Sequence, residues 1–275
     1  MEKLELENLL SLIASHFERN DFKTLTTLLS LGLIWYPRHP SLIAWHKKVL
    51  GQYDDSFYEG TYQTSVQSAR LLLRRLQSFT DFHDVVDVGA GAGAWSQAAL
   101  EMGKKVLSID GEWVRDVPKA CEGLTYQYSD LDSSITSERV FDVSICVEVA
   151  EHLSPERSAG FISDLCSLAP VAVFGAALPR QGGVGHINCR PSSFWIELFR
   201  RQHFSVFDAF RPAFWYDGRV APWYAQNTFL FVSNARLEAF SHLPRPSLLD
   251  VYHPRVVLDS RICLQDHENG LIDPA

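Results

Sequence analysis

The stretch VVDVGAGAGAW, at residues 85–95, decides the fold. Its valines are apolar and β-branched, which is typical of a strand buried on both faces of a parallel sheet. Gly89, Gly91 and Gly93 follow at alternate positions, where the lack of a side chain lets the backbone turn sharply and approach a ligand closely. The helix expected behind them offers free backbone N–H groups. The stretch therefore predicts a strand, a ligand-binding turn and a helix, in that order.

Outward from this turn, β-rich runs alternate with helical segments. The predicted strands cover residues 84–88, 105–110, 124–128, 143–147, 171–177, 204–210 and 228–232. The predicted helices cover residues 65–78, 94–102, 155–169 and 192–201. This alternation is typical of α/β proteins, in which helices cover both faces of a mostly parallel sheet. We therefore predict a Rossmann-like sheet of seven strands, with its first strand in the interior. Only a loop joins the last two strands, so these can pair antiparallel.

The two ends of the chain differ from this alternating region. Apolar residues recur at helical spacing over residues 4–33, broken by a polar Asn20-Asp21 turn, and a third short helix is expected after Ser41. This hairpin is faintly similar to a tetratricopeptide repeat, but it is too short for a solenoid. We predict a helical cap at residues 1–53, the α/β domain at 54–233 and a wrapping tail at 234–275.

Composition excludes several classes of protein. The 275 residues are 46% hydrophobic and 21% charged, as in ordinary globular proteins. A formal net charge of −8 disfavours general binding to nucleic acids or anionic membranes. The five cysteines form no C-x-x-C pair, and neither a secretory signal nor a spanning apolar run is apparent. We therefore expect a cytoplasmic protein without disulfides, and the N-terminal helices are candidates for a homodimer contact.

The glycine turn alone fits two cofactors, because Gly89-x-Gly91-x-x-Ala94 also satisfies the dinucleotide-binding fingerprint. Asp110 ends the second predicted strand, where a carboxylate can accept hydrogen bonds from both hydroxyls of a ribose in either cofactor. Asp87, which precedes the glycines, distinguishes the two. Its carboxylate can hold a cationic amino-acid group, as S-adenosylmethionine provides, whereas it would face the pyrophosphate of a dinucleotide unfavourably.

Six stretches in this order make the resemblance specific. They are VVDVGAGAGAW, VLSIDGEWV, YSDLDSS, FDVSICVEVAEHLSPERS, GAALPRQGGVGHINCRPSSFWIELFRRQHF and WYAQNTFLFV. The series spans about residues 54–233 and resembles class I S-adenosylmethionine-dependent methyltransferases. Within that superfamily it is similar to a bacterial subgroup of small-molecule enzymes often found with glycan and secondary-metabolite genes. The resemblance implies a methyltransferase with S-adenosylmethionine as cofactor.

The resemblance also implies which residues bind the cofactor. Asp87 and the three glycines would lie along its methionine and ribose side, and Glu148 would line the methionine part. Asp110 would hold the ribose hydroxyls. The full implied set is Asp87, Gly89, Gly91, Gly93, Asp110, Asp130, Leu131 and Glu148, with Asp130 and Leu131 beside the adenine.

Two positions depart from the subgroup. Ala90 replaces a usual Cys, which leaves backbone binding intact. The run His186-Ile187-Asn188-Cys189-Arg190 replaces the usual His-Val-Asn-Glu-Gln, so an acidic and an amide side chain are lost. This second change bears on the substrate rather than on methyl transfer.

The acceptor needs alignment with the methyl group and removal of a proton. His186, in the glycine-rich loop after the fifth strand, is the first candidate base, and His152, after the fourth strand, is the second. Asn188 could orient a substrate hydroxyl. Further candidates are Tyr224, Gln226 and Asn227, which precede the last strand.

A metal site is a weaker interpretation of the same region. The two histidines could bind a divalent metal together with Glu148 and Glu151, because imidazole and carboxylate are competent ligands. Their separation along the chain provides no H-x-x-x-H spacing, so the sequence predicts no metal.

These observations favour methyl transfer to a hydroxyl of a small molecule, and the resemblance implies a sugar, glycan precursor or secondary metabolite. Transfer to a small amine remains open. A nicotinamide dehydrogenase is disfavoured because no Tyr-x-x-x-Lys pair follows the fourth strand. A non-catalytic nucleotide-binding protein is disfavoured by the intact glycine turn and its acidic flanks.

Overall fold

The structure is a computed structural model. It describes residues 4–19, 24, 25, 28, 29, 36, 39, 41, 42, 45, 55–117, 119, 121–181, 183 and 185–259. Much of the predicted cap, including the Asn20-Asp21 turn, and residues 260–275 of the predicted tail lie outside the described residues. Among the described residues, none of the helices has the length and apolar character that a membrane-spanning helix requires.

Seven strands form one sheet, as predicted. They are β1 (Asp84–Val88), β2 (Lys105–Asp110), β3 (Tyr126–Tyr128), β4 (Val143–Val147), β5 (Val171–Gly175), β6 (Phe204–Phe207) and β7 (Phe229–Ser233). Their order is β3-β2-β1-β4-β5-β7-β6, which places β1 in the interior. The pairings from β3 to β5 are parallel, and β7 runs antiparallel to both β5 and β6.

The described α-helices follow in chain order. They are α1 (Leu6–Glu18), α2 (Asp55–Gln77), α3 (Ala94–Glu101), α4 (Ser158–Leu168), α5 (Ser192–Arg201), α6 (Arg211–Phe214), α7 (Pro222–Asn227) and α8 (Pro254–Asp259). The predicted helix at 155–169 is a 3₁₀ turn at Pro155–Arg157 followed by α4. The predicted helix at 65–78 begins at Asp55 instead, within a stretch where apolar periodicity is weak.

Three predicted strands are shorter in the structure. β3 begins at Tyr126, β5 ends at Gly175 and β6 ends at Phe207. β6 ends because the backbone N–H of Asp208 donates to the Pro244 carbonyl, at 2.9 Å, instead of continuing the ladder. The Asp208 carboxylate also accepts from Arg211 at 2.7 Å, which turns the chain into α6.

The sheet separates two apolar layers, because side chains alternate along each strand. On β1, Val85 belongs to the layer beneath α2 and α3, whereas Val86 and Val88 belong to the layer beneath α4 and α5. Both faces are therefore covered, as predicted. A third, small cluster belongs to the N-terminal residues and contains Leu9, Ile13, Leu25, Leu29 and Leu42.

The described part of the chain after β7 runs back across the domain. Phe240 and Leu243 are buried in the layer beneath α2 and α3. The Tyr252 hydroxyl donates to the Pro179 carbonyl at 2.7 Å, after β5. The tail thus contacts the sheet edge at which the parallel strands end. The division of the chain at residues 53/54 and 233/234 stays a prediction.

Candidate active site

Five parallel strands bring the predicted site residues to one edge of the sheet. The strands β3, β2, β1, β4 and β5 point the same way, so the turns that follow them share the carboxyl edge. Ligands of such sheets bind at this edge. The predicted site residues lie at these strand ends. The glycine turn follows β1 and Asp110 ends β2. Glu148 follows β4, and the loop with His186 follows β5.

The glycine turn after β1 depends on glycine for a measurable reason. Gly89 has φ +79°, and a Cβ there would lie 2.3 Å from Cγ2 of Val149, in the turn after β4. Its N–H donates to the Ile109 carbonyl at 2.8 Å, which fixes the turn to β2. Any larger residue would push the β4 turn away from the cofactor edge.

Asp110 is fixed beside the glycine turn. Its Oδ2 accepts from the N–H of Gly91 at 2.7 Å, and its Oδ1 accepts from the N–H of Gly111 at 2.6 Å. Burial raises the pKa of Asp110 to about 6, although both backbone N–H groups favour the ionised form. Each oxygen keeps lone pairs for further hydrogen bonds, so the geometry suits a pair of ribose hydroxyls.

Asp87 lies beneath the turn rather than on its surface. It is buried, and its carboxylate accepts from Oγ of Ser96 at 2.7 Å. Burial, with a smaller contribution from the charge of Asp110, raises the pKa of Asp87 to about 7 despite the hydrogen bond from Ser96. The side chain links β1 to α3. Its predicted contact with a cationic amino-acid group stays a prediction.

The predicted adenine residues follow β3, whose Tyr128 pairs with Asp110 of β2. Asp130 is exposed, and Leu131 is buried. Oδ1 of Asp130 accepts from the N–H of Asp132 at 3.2 Å, which orders the turn. Because β3 neighbours β2, these residues follow the strand next to Asp110, and their contact with an adenine stays a prediction.

Glu148 is the centre of a buried polar network. Its backbone has φ +55°, a conformation that residues other than glycine seldom adopt outside functional sites. Gln181 donates to its Oε2 and Asn227 donates to its Oε1, both at 2.8 Å. Gln226 donates to Oε1 of Gln181 at 3.0 Å and accepts from the N–H of His253 at 2.6 Å. Burial raises the pKa of Glu148 to about 7.

Gln181 is not among the site residues predicted from the sequence, and Asn227 is only a further candidate there. β7 runs antiparallel to β5, with Phe229 opposite Phe174, so the residues before β7 lie beside the residues after β5. A buried carboxylate requires donors, so amides near a neighbouring strand end are the signal that could have identified both residues.

The two histidines lie side by side, although they follow different strands. The N–H groups of Ile187 and Asn188 donate to the Glu151 carbonyl at 2.8 and 2.9 Å, which holds the loop after β5 against the turn after β4. The rings of His152 and His186 are 4.8 Å apart and nearly perpendicular. Burial lowers the pKa of His186 to about 3, so its imidazole is neutral at neutral pH.

Asn188 holds the loop. Its side chain is buried, and Nδ2 donates to the Ala150 carbonyl at 3.3 Å and to Oγ of Ser158 at 2.9 Å. Its Oδ1 accepts from Arg190 at 3.0 Å. These contacts use the polar atoms that the sequence analysis assigned to a substrate hydroxyl, so a positioning role is better supported.

The sheet order and the glycine turn after β1 define the class I methyltransferase fold, and the predicted resemblance is confirmed at that level. No protein-family profile matches the chain, and no match is found among curated proteins. Among solved structures, the chain is similar to Streptomyces venezuelae DesVI, with a TM-score of 0.52 and 13% identity over 65% of this chain and 96% of that one. It is also similar to S-adenosylmethionine-bound CalS10 from Micromonospora echinaspora, an amino pentose methyltransferase of calicheamicin biosynthesis. That similarity has a TM-score of 0.51 and 14% identity, and it covers 66% of this chain and 97% of CalS10.

Proposed function

We propose that the protein is an enzyme that transfers the methyl group of S-adenosylmethionine to a hydroxyl of a small molecule. The observation that carries this proposal is that the carboxyl edge of the sheet brings together a candidate nucleoside site and a candidate acceptor site. A turn that admits only glycine at position 89 and a fixed Asp110 lie at the ends of β1 and β2, and two adjacent histidines lie beyond β4 and β5. The first half suits a nucleoside, and the second suits an acceptor.

In this proposal the cofactor lies along the carboxyl ends of β3, β2, β1 and β4. Asp110 binds the ribose hydroxyls, and Asp130 and Leu131 flank the adenine. Asp87, Gly89, Gly91 and Gly93 shape the methionine side, where the buried Glu148 carboxyl faces the cationic amino group. The methyl group then points towards the loop after β5.

The acceptor binds beside His186. Deprotonating an ordinary hydroxyl near neutral pH is unfavourable. A neutral imidazole in contact with the hydroxyl therefore raises the reaction rate by roughly 10²–10⁴-fold. His186 is the first group that activates the acceptor, and His152 is the second. Asn188 positions the loop that carries His186.

A sugar or another small metabolite is the acceptor class that we favour. The similarity to CalS10, an amino pentose methyltransferase, supports a sugar. It also favours a second candidate, transfer to a sugar amine, whose free lone pair needs no base. Cytoplasmic location and a homodimer through the N-terminal helices stay part of this proposal.

Calorimetric titration of the full chain with S-adenosylmethionine, and separately with NAD, tests the cofactor. We expect binding of S-adenosylmethionine and at least about tenfold weaker binding of NAD, a difference of about 1.4 kcal/mol. Stronger binding of NAD would support the dehydrogenase instead. With the cofactor established, a panel of sugars and sugar amines identifies the acceptor by the S-adenosylhomocysteine released.

A further inference from the structure

Three metal-binding side chains converge between the turn after β4 and the loop after β5. One ligand atom from each of Glu151, His152 and His186 lies within 4.8 Å of the other two. The backbone hydrogen bonds from Ile187 and Asn188 to the Glu151 carbonyl hold the two segments together. The main chain therefore fixes the cluster, and the sequence spacing that argued against a metal loses its weight.

Glu151 points to the missing partner of this cluster. Its side chain is fully buried, and among the described residues neither carboxylate oxygen has a hydrogen-bond partner of good geometry. The groups around it are the Glu148 carboxyl, the backbone N–H of Ala177 and Nε2 of His186, which lies 4.0 Å from Oε1. A second carboxyl and contacts of poor geometry leave Glu151 incompletely satisfied, and a bound cation would offset that cost. No lysine or arginine in the described part of the chain pairs with it.

His186 is held with its Nε2 on the side of Glu151. Its Nδ1 contacts Sγ of Cys189 at 3.6 Å, which leaves Nε2 directed to Glu151. A Cβ on Gly183 would lie 2.2 Å from the His186 ring, so the ring is seated against that glycine backbone. A metal-binding histidine usually donates its other ring N–H to a carboxylate, a carbonyl or water, and here the weaker sulfur of Cys189 occupies that place.

We propose that Glu151, His152 and His186 bind a divalent transition-metal ion of the Zn²⁺ and Co²⁺ class, and that this ion binds the acceptor hydroxyl. The proposal deepens, and rests on, the methyl transfer proposed above. Two imidazoles and one carboxylate suit such ions, whereas Mg²⁺ prefers oxygen ligands. Ligand atoms about 2.0–2.2 Å from zinc lie roughly 3.4 Å apart, so side-chain shifts of about 1 Å close the site.

Three protein ligands leave a fourth tetrahedral position for the acceptor oxygen. The His186 side chain is 13% exposed and Glu151 is fully buried, so the cluster lies just beneath the surface. A metal lowers the pKa of a bound water to about 7, and it acidifies a bound hydroxyl in the same manner. With the ion bound, Nε2 of His186 is a ligand and no longer the base, so the ion acidifies the acceptor hydroxyl and His186 acts by holding the ion.

The reaction balances without an oxidant or reductant. The metal-bound hydroxyl releases its proton to solvent, and an oxygen lone pair forms the new bond to the methyl carbon. The carbon–sulfur bond breaks with its electron pair on sulfur. The products are the methyl ether and S-adenosylhomocysteine.

Titration of chelator-treated full-length protein with Co²⁺ tests the site, read by the visible absorption bands of tetrahedral cobalt. We expect one ion per chain. Glu151→Gln should weaken Co²⁺ binding by about 100-fold or more. Changing a residue that only holds a metal ligand in place already costs about 10–100-fold, and Glu151 would be a ligand itself. Glu122→Gln, which alters an exposed carboxyl, should leave binding unchanged.

His186→Asn is the second ligand variant, and His242→Asn, at an exposed position, is its control. This pair decides the question if Glu151→Gln does not fold. An absence of Co²⁺ binding to the wild type would overturn the metal site, as would equal Co²⁺ affinity in the wild type and in every folded ligand variant.

Binding of S-adenosylmethionine to metal-free protein is measured in parallel. Cofactor binding without Co²⁺ binding would remove the metal site and leave the proposed methyl transfer. Co²⁺ binding without S-adenosylmethionine binding would leave the metal site and contradict the proposed methyl transfer.

Discussion

Asp110 holds its place through two backbone N–H groups before any ligand arrives. Asp110→Asn should therefore weaken S-adenosylmethionine binding without loss of the fold. A hydrogen bond to a charged group is worth about 1.5–3 kcal/mol, so we expect an affinity loss of about 10–100-fold by calorimetry. Glu138→Gln, at an exposed position outside the proposed cofactor site, should leave the affinity unchanged. Unchanged affinity in Asp110→Asn would mean that the ribose binds elsewhere.

His186 should affect turnover and leave cofactor binding nearly unchanged. His186→Ala removes the group beside the acceptor, so we expect a fall in kcat of about 10²-fold or more with the identified acceptor. Calorimetry with S-adenosylmethionine is the control for the cofactor site. Wild-type turnover in His186→Ala, together with its loss in His152→Ala, would transfer the role to His152. Activity surviving both changes would favour an amine acceptor.

Asp87 should make stability depend on pH. Its pKa rises from 3.8 to about 7 on folding because burial favours the neutral form. The folded protein then binds the proton more tightly than the unfolded chain, so stability is greatest below pH 4 and falls as the pH rises towards 7. Asp87→Asn imitates the protonated form. In cofactor-free denaturant unfolding, we expect this variant to exceed the wild type in stability at pH 8 and to match it near pH 4; equal pH slopes would contradict this.

At the scale of elements, the glycine turn joins β1 to the turn after β4. Gly89→Ala introduces both strain at φ +79° and a contact of 2.3 Å with Val149. Overpacking and strain each cost about 1–3 kcal/mol, so we expect a loss of at least about 2 kcal/mol in the free energy of unfolding. Gly91→Ala is the matched control, because its φ is +53° and nothing lies within 4 Å of its added Cβ. Equal losses would show that the Val149 contact is unimportant.

The sequence predicts the elements well where burial dictates the pattern. β1, β2 and β4 have the predicted boundaries, because each is a short run rich in valine, isoleucine or leucine that the sheet buries. The end of β6 could not be predicted, since a hydrogen bond from Asp208 to the distant Pro244 ends it. The early start of α2 has no comparable sequence signal.

The candidate site divides in the same way. The glycine turn and Asp110 are local features of strand ends, so their pattern is readable in the sequence. Glu151 and His186 meet only because a loop hydrogen-bonds across from one strand end to another. The contact of Glu148 with Asn227 depends on β7 being antiparallel to β5. Such contacts follow from tertiary topology, which residue spacing does not encode.

At the scale of the whole molecule, the N-terminal cluster contacts the loop after β5, which carries His186 and is called the acceptor loop below. Ile187, next to His186, packs against the cluster that contains Leu9 and Ile13 of α1. The N-terminal cluster therefore supports the position of the loop that carries His186. A change inside this cluster should reach the acceptor half of the site and spare the cofactor half.

Ile13→Ala tests this coupling, because Ile13 is fully buried and its truncation costs about 2–5 kcal/mol of local packing. A loosened Ile187 loop places His186 less accurately, so we expect kcat/KM for the acceptor to fall several-fold while S-adenosylmethionine affinity holds. Leu12→Ala is the matched control on the same helix, since Leu12 is 37% exposed. If both variants lose the same activity, or if Ile13→Ala weakens the cofactor instead, the N-terminal helices act on the whole domain and not on the acceptor loop.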